Sequence, residues 1–133
     1  MKFMLDTNIC IYLIKEKPAA VLRHFNRYHA GNIGISSITL AELEYGVAKS
    51  LHVQKNQAAL HQFILPLEIA VFKENASKTY GIIRAELEKN GTPIGSMDML
   101  IAAHALTLGV TLVTNNTKEF QRIKRLKVSD WTV

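Results

Sequence analysis

Met97-Asp98-Met99-Leu100-Ile101-Ala102-Ala103-His104-Ala105-Leu106-Thr107-Leu108-Gly109-Val110-Thr111-Leu112-Val113-Thr114 is the stretch whose reading decides the fold. From about Met97 to Leu108 it is apolar over several turns and stops at Gly109, a residue that takes the left-handed backbone that closes helices. Val110 to Thr114 then reads as a short strand rich in β-branched residues. Moving outward, Lys2 to Leu5, Ile33 to Ser36, Leu67 to Phe72 and Leu126 to Val128 have the same short apolar character, the third with Leu67, Ile69 and Val71 at period two. A helix is predicted from Asn75 as N-cap to Asn90-Gly91, with Ala76, Tyr80, Ile83 and Leu87 on one face and Arg84 and Glu88 paired at i,i+4. Ile38 to Phe63 holds two further helices. Strands that alternate with helices predict an α/β sandwich with a mainly parallel sheet, because parallel strands need crossover connections.

The chain has 133 residues, 48% of them hydrophobic, and no internal repeat or linker, which predicts one domain over residues 1–133. A charged fraction of 20%, seven Gly and three Pro argue against disorder and fibrous repeats. Cys10 is the only cysteine and sits between Ile9 and Ile11, so it reads as a small core hydrophobe in a reducing compartment, with the cytoplasm as the expected location. The apolar runs near the N-terminus are interrupted at Asp6 and end at Lys15, too short for export or for a membrane span. The net charge is +5, and Lys118, Arg122, Lys124, Arg125 and Lys127 are concentrated near the C-terminal end. That cluster suits a polyanionic partner as well as it suits a solvated face.

The acids carry more information. Glu16, Glu44, Glu68, Glu74, Glu86, Glu88 and Asp130 lie among polar or amphipathic neighbours. Asp6 instead follows the first strand, Glu42 lies in the first turn of the helix after the second, Asp98 opens the helix quoted above, and Glu119 follows the strand that ends at Thr114. In a parallel sheet such positions gather along the carboxyl edge of the strands, where these folds bind ligands. Each acid also has a local explanation: Asp6 as a helix cap, Glu42 as the end of a capping box that starts at Thr39, and Asp98 as a partner of the helix dipole. Together they repel one another unless protonated or bridged by a cation, and an all-oxygen set suits Mg²⁺ or Mn²⁺ and hydrolysis at phosphate.

Signatures for P-loop, dinucleotide, serine-hydrolase and zinc chemistry are absent. His104 stands six positions after Asp98, on a different helical face, and reads as a packed or capping histidine. A receiver module lacks its adjacent acids here, and an aspartate-nucleophile phosphatase lacks its second Asp, because that position is Asn8.

Met4-Leu5-Asp6-Thr7-Asn8, the segment from Ser36 to Gly46, Pro93-Ile94-Gly95-Ser96-Met97-Asp98, Ile101-Ala102-Ala103-His104-Ala105, and Thr114-Asn115-Asn116-Thr117-Lys118-Glu119-Phe120 resemble, in order, the signature blocks of PIN-domain ribonucleases, in their VapC toxin branch. The resemblance implies a PIN-like α/β/α sandwich with a mainly parallel central sheet and a Mg²⁺-dependent endoribonuclease, the toxin of a toxin-antitoxin pair, that dimerises and assembles with a VapB-type antitoxin into a larger complex. It implies that Asp6, Glu42 and Asp98 form the acidic cluster, with Asp6 and Asp98 as direct metal ligands. Asn8 and Thr114 match polar residues that position water or phosphate. Asn116 stands where Asp is common, which leaves open whether Glu119 supplies the fourth carboxylate. The substrate so implied is a structured RNA, a tRNA in its anticodon region, and the Leu5-to-Tyr12 opening suggests initiator tRNA. RNA would approach over Lys118, Arg122, Lys124, Arg125 and Lys127, and the antitoxin would block the rim with a cationic side chain, landing on apolar residues around Ile9 to Ile14 and Leu40 to Val47. The alternative is a catalytically silent RNA- or protein-binding module on the same fold.

Overall fold

A computed structural model describes residues 1–133. Five strands, β1 (Phe3–Leu5), β2 (Ile33–Ser36), β3 (Glu68–Ala70), β4 (Thr111–Val113) and β5 (Val128–Ser129), form one sheet in the order β3-β2-β1-β4-β5. Every pairing is parallel, with Phe3 opposite both Ile33 and Thr111. The helices are α1 (Thr7–Ile14), α2 (Ala19–Arg27), α3 (Ser37–Ala48), α4 (Val53–Ile64), α5 (Glu74–Lys89), α6 (Ser96–Leu108) and the single turn α7 (Thr117–Phe120).

The sheet is apolar on both faces, as a parallel sheet covered by helices must be. Alternation along the strands divides the core. Met4 and Leu112 point to a layer with Ile83 and Leu87 of α5, Met99 and Ile101 of α6, and Phe120 of α7. Leu5, Val113, Ile33 and Ile35 point the other way, to Ile9 and Leu13 of α1, Leu43 and Val47 of α3, and Leu60 of α4. Leu112 is fully buried, and its truncation to Ala costs about 2–5 kcal/mol. Gly34 separates the two isoleucines of β2, where a Cβ would stand 2.5 Å from the Glu68 carbonyl oxygen. Any side chain there would push β3 off β2.

Local chemistry sets the helix ends. Asp6 caps α1, its Oδ1 accepting the Ile9 N–H at 2.9 Å, and Ser36 caps α3 through Ile38 N–H at 3.0 Å. α6 stops at Gly109, whose φ of 69° is left-handed. α5 stops at Asn90 with Gly91 left-handed after it, and Arg84 pairs with Glu88 at 3.3 Å.

Four expectations need adjustment. The α3 cap is Ser36, so the Thr39–Glu42 capping box does not form; Thr39 is buried with its hydroxyl unpartnered and Glu42 bonds elsewhere. α5 starts at Glu74 after Lys73, and Asn75 bonds only the next amide. β3 is shorter than Leu67 to Phe72, because Val71 is 62% exposed. The last strand is Val128–Ser129; Leu126 precedes it as a core anchor, so its apolarity reflects burial and not pairing.

Candidate active site

The strand order reverses between β1 and β4, which makes the carboxyl edge of that pair the switch point where open α/β sheets hold ligands. Asp6 leaves β1 and Thr114 leaves β4 at this point, and the Asp6 amide still bonds Val113 O at 3.0 Å. Both are buried, Asp6 at 5% exposure. Burial pushes the Asp6 carboxyl above its usual pKa, the Glu42 and Asp130 carboxylates add to that, and hydrogen bonds from Thr114 and the Ile9 amide oppose it.

Glu42 arrives from α3 and Asp98 from the first turn of α6, both half-buried. Thr7 Oγ1 donates to Glu42 Oε1 at 2.6 Å and so ties α1 to α3. The Asp98 carboxyl is pushed up to about 6, first by burial and then by Glu119, Asp6 and Glu42. The Asp98 carboxyl therefore feels Asp6 at the cap of α1, Glu42 of α3 and Glu119 of α7. The two ion pairs of the chain, Met1 amine–Glu68 and Arg84–Glu88, lie elsewhere.

The β4–α7 connection brings Glu119 toward Asp98. Thr114 Oγ1 accepts the Asn116 N–H at 2.9 Å, and Asn116 Nδ2 donates to Glu119 Oε2 at 2.6 Å. Glu119 brings the carboxylate and Asn116 holds it. Asn8 is exposed in the first turn of α1, whereas the side chain of its neighbour Thr7 is tied to Glu42. Asp130, read as one of the solvated acids, acts on Asp6 from the exit of β5. Its position just past a strand end is the signal that marks Asp6. Trp131 anchors that exit in the core, with Phe3 at 5.4 Å and Tyr28 at 5.6 Å between ring centroids.

No three His, Cys, Asp or Glu side chains stand close enough to form a closed metal cage. The donor chemistry nevertheless fits a hard divalent cation: the charged groups that act on Asp6 and Asp98 are all carboxylates, and each raises the pKa of the Asp it faces, with no cationic side chain contributing to that field. Mg²⁺ keeps several waters and typically takes one or two carboxylates, so an open set suits it.

Lys118, Arg122, Lys124, Arg125 and Lys127 are all exposed and unpaired by carboxylates. Arg122, Lys124 and Arg125 face Glu86 and Asn90 of α5 across a cleft of about 290 Å³. Arg122 Nη1 donates to Pro93 O at 2.8 Å, which ties this segment to the loop that enters α6 and Asp98. A second cleft, of about 310 Å³, runs between α1, α3 and α4, lined by Ile11, Ile14, Leu43, Val47 and Leu60, with Glu42 at its margin. No helix is long and apolar enough to cross a membrane.

Comparison with known proteins agrees with this geometry. A family model described as PIN domain matches residues 3–126. The chain is 46% identical over 132 residues to the tRNA(fMet)-specific endonuclease VapC of Shigella flexneri, covering 99% of each chain. It superposes on VapBC2 of Rickettsia felis, solved bound to a DNA fragment from the promoter, with a TM-score of 0.92 and 46% identity over 98% of this chain and 99% of that one. DNA-bound VapBC of Salmonella typhimurium gives a TM-score of 0.93 at 46% identity, over 98% of both chains. A parallel sheet with acids at its switch point and full-length similarity to these ribonucleases lead to one assignment: the chain belongs to the PIN-domain family, among the VapC ribonuclease toxins of VapBC toxin-antitoxin systems.

Proposed function

We propose that this VapC ribonuclease hydrolyses a phosphodiester bond of tRNA, with initiator tRNA as its substrate, in a Mg²⁺-dependent reaction at Asp6, Glu42, Asp98 and Glu119. One observation carries the site assignment: Asp98 is held near pKa 6 by burial and by the carboxylates of Glu119, Asp6 and Glu42. Such a field costs stability and is relieved by a divalent cation. The substrate follows from the relative of Shigella flexneri, whose name specifies tRNA(fMet).

Asp6 and Asp98 would hold the cation directly, with Glu42 and Glu119 acting through water. When bound, the cation lowers the pKa of water and offsets charge on the phosphate. Thr114 donates to Asp6 and keeps its lone pairs aimed at the rim, Thr7 fixes Glu42, and Asn116 fixes Glu119. The proton that Asp98 retains up to about pH 6 must leave its carboxyl before the site loads, so loading weakens in acid. Asn8, exposed beside Asp6, is placed to meet the phosphate from outside. Arg122, Lys124 and Arg125, with Lys118 and Lys127, supply the positive field that draws the RNA backbone past an acidic rim. The expected ends are 5′-phosphate and 3′-hydroxyl.

The 310 Å³ apolar cleft ends at Glu42, which suits an antitoxin segment that seats apolar side chains there and turns an Arg or Lys toward the acids. A toxin homodimer in a larger VapB-type complex is the expected assembly. Purified protein incubated with tRNA(fMet) tests the reading: cleavage with Mg²⁺ or Mn²⁺ that EDTA abolishes is the expected result. Undiminished cleavage in EDTA would reject the carboxylate site.

A further inference from the structure

The helices that carry Asp98 and Glu42 meet at one buried imidazole. His104 of α6 is 2% exposed, and its Nδ1 lies 2.8 Å from Ser36 Oγ. Ser36 ends β2 and caps α3, its Oγ already accepting the Ile38 N–H. The serine keeps both its proton and a second lone pair, so the ring tautomer sets the direction of the bond; the Val71 backbone favours the protonated ring, as a carbonyl accepting from Nε2–H does, and Nδ1 then accepts from the Ser36 hydroxyl. The Val71 backbone, just past β3, is the other hydrogen-bonding partner of the ring. Phe72 packs edge-on at 5.3 Å between centroids, and its own N–H donates to Ser37 Oγ at 3.0 Å. Burial keeps the imidazole below its usual pKa, in keeping with a neutral ring.

The placement is symmetrical. Asp98 stands six residues before His104 on α6, and Glu42 six residues after Ser36 on α3. A helix is stiff over this length, so a bond between the two origins sets how far apart the two carboxylates stand. Apolar packing alone defines that crossing less sharply, because Ala102, Ala103 and Ala105 beside His104 have no long side chains to interlock.

We propose that His104, through its hydrogen bond to Ser36, is a positioning residue that fixes the separation of Asp98 from Glu42, a role that rests on the acidic site proposed above. It touches neither RNA nor cation. Three variants separate this role from packing. His104→Phe keeps a ring of similar size without the nitrogens, His104→Asn keeps an acceptor near the Nδ1 position, and Ser36→Ala removes the partner.

Mn²⁺ binding by calorimetry, kcat and KM on tRNA(fMet), and melting in EDTA are measured for each variant. His104→Phe and Ser36→Ala are each expected to weaken Mn²⁺ binding by about tenfold, the size found when a group that orients a metal ligand is lost. kcat falls with it while KM stays within about twofold, and His104→Asn recovers most of both. The double variant His104→Phe/Ser36→Ala is expected to be no worse than the poorer single, because one bond is lost only once. In metal-free wild type, imidazole ¹⁵N shifts should report the Nε2–H tautomer. Native Mn²⁺ affinity and kcat in His104→Phe, whatever its melting temperature, would overturn the proposal, as would additive losses or an Nδ1–H ring. A wild-type protein that neither binds Mn²⁺ nor cleaves would instead overturn the acidic site, and the positioning role with it.

Discussion

Asp98→Asn removes one carboxylate from a crowded rim, and the structure gives both the size and the pH dependence of the effect. The Asp98 carboxyl sits near 6 instead of its ordinary 3.8, so the folded protein holds a proton that the unfolded chain releases. Two pH units correspond to about 3 kcal/mol as a ceiling. Asp98 is only half-buried, and solvent screening reduces this to about 1–1.5 kcal/mol. Below about pH 3.8 both states are protonated and Asp98 carries no penalty. Between about 4 and 6 the unfolded chain binds fewer protons than the folded one, so stability falls as pH rises, and above about 6 the loss is complete. The Asn variant escapes this loss. At pH 7 in EDTA it should melt roughly 4 °C above wild type, with the gap closing near pH 4. Mg²⁺ should narrow the gap by stabilising wild type through binding, while tRNA cleavage by the variant is lost. Thermal unfolding at pH 4 and 7, with EDTA and with Mg²⁺, is the assay. A variant no more stable than wild type at pH 7, or a gap unchanged at pH 4, would refute the idea that carboxylate repulsion strains this site.

Two further outcomes are expected. Lys124→Ala with Arg125→Ala should raise KM for tRNA several-fold and flatten its salt dependence, with the log–log slope falling by roughly one per lost phosphate contact and kcat held; a fall in kcat alone would place these cations outside RNA binding. Thr7→Val should free Glu42, lower kcat and cost about 1–2 kcal/mol for the lost bond to a carboxylate, and cleavage within twofold of wild type would show that Glu42 needs no such hold.

The strands and long helices were legible because their signals are local. Ile33 to Ser36 is bounded as read, and Gly109 and Asn90-Gly91 end their helices. Misreadings fall where tertiary contacts decide: Leu126 is apolar for the core and not for a strand, and α7 spans four residues, too few to show a period. Among the site residues, Asp6, Glu42, Asp98 and Glu119 were found by one rule, that acids at strand exits and helix starts share an edge. Asp130 obeys the same rule, but a strand read to end at Val128, one residue before its actual end at Ser129, concealed it. Thr7 and Asn116 escaped as supports for carboxylates because their partners, on another helix and across a turn, exist only in the folded chain. His104 was legible as packed; its tie to Ser36, 68 residues away, was not.

The strand order β3-β2-β1-β4-β5 places the first strand at the centre, between β2, some thirty residues on, and β4, near the far end of the chain. The central pairing of β1 with β4 closes more than a hundred residues of chain, the kind of non-local contact that slows folding. The rim acids are spread from Asp6 to Glu119, and no excised half of the chain carries them all. Nuclease activity is thus a property of the finished molecule alone. A chain still emerging from synthesis holds its earlier carboxylates as scattered charges, and the rim is assembled only when β4 has docked beside β1.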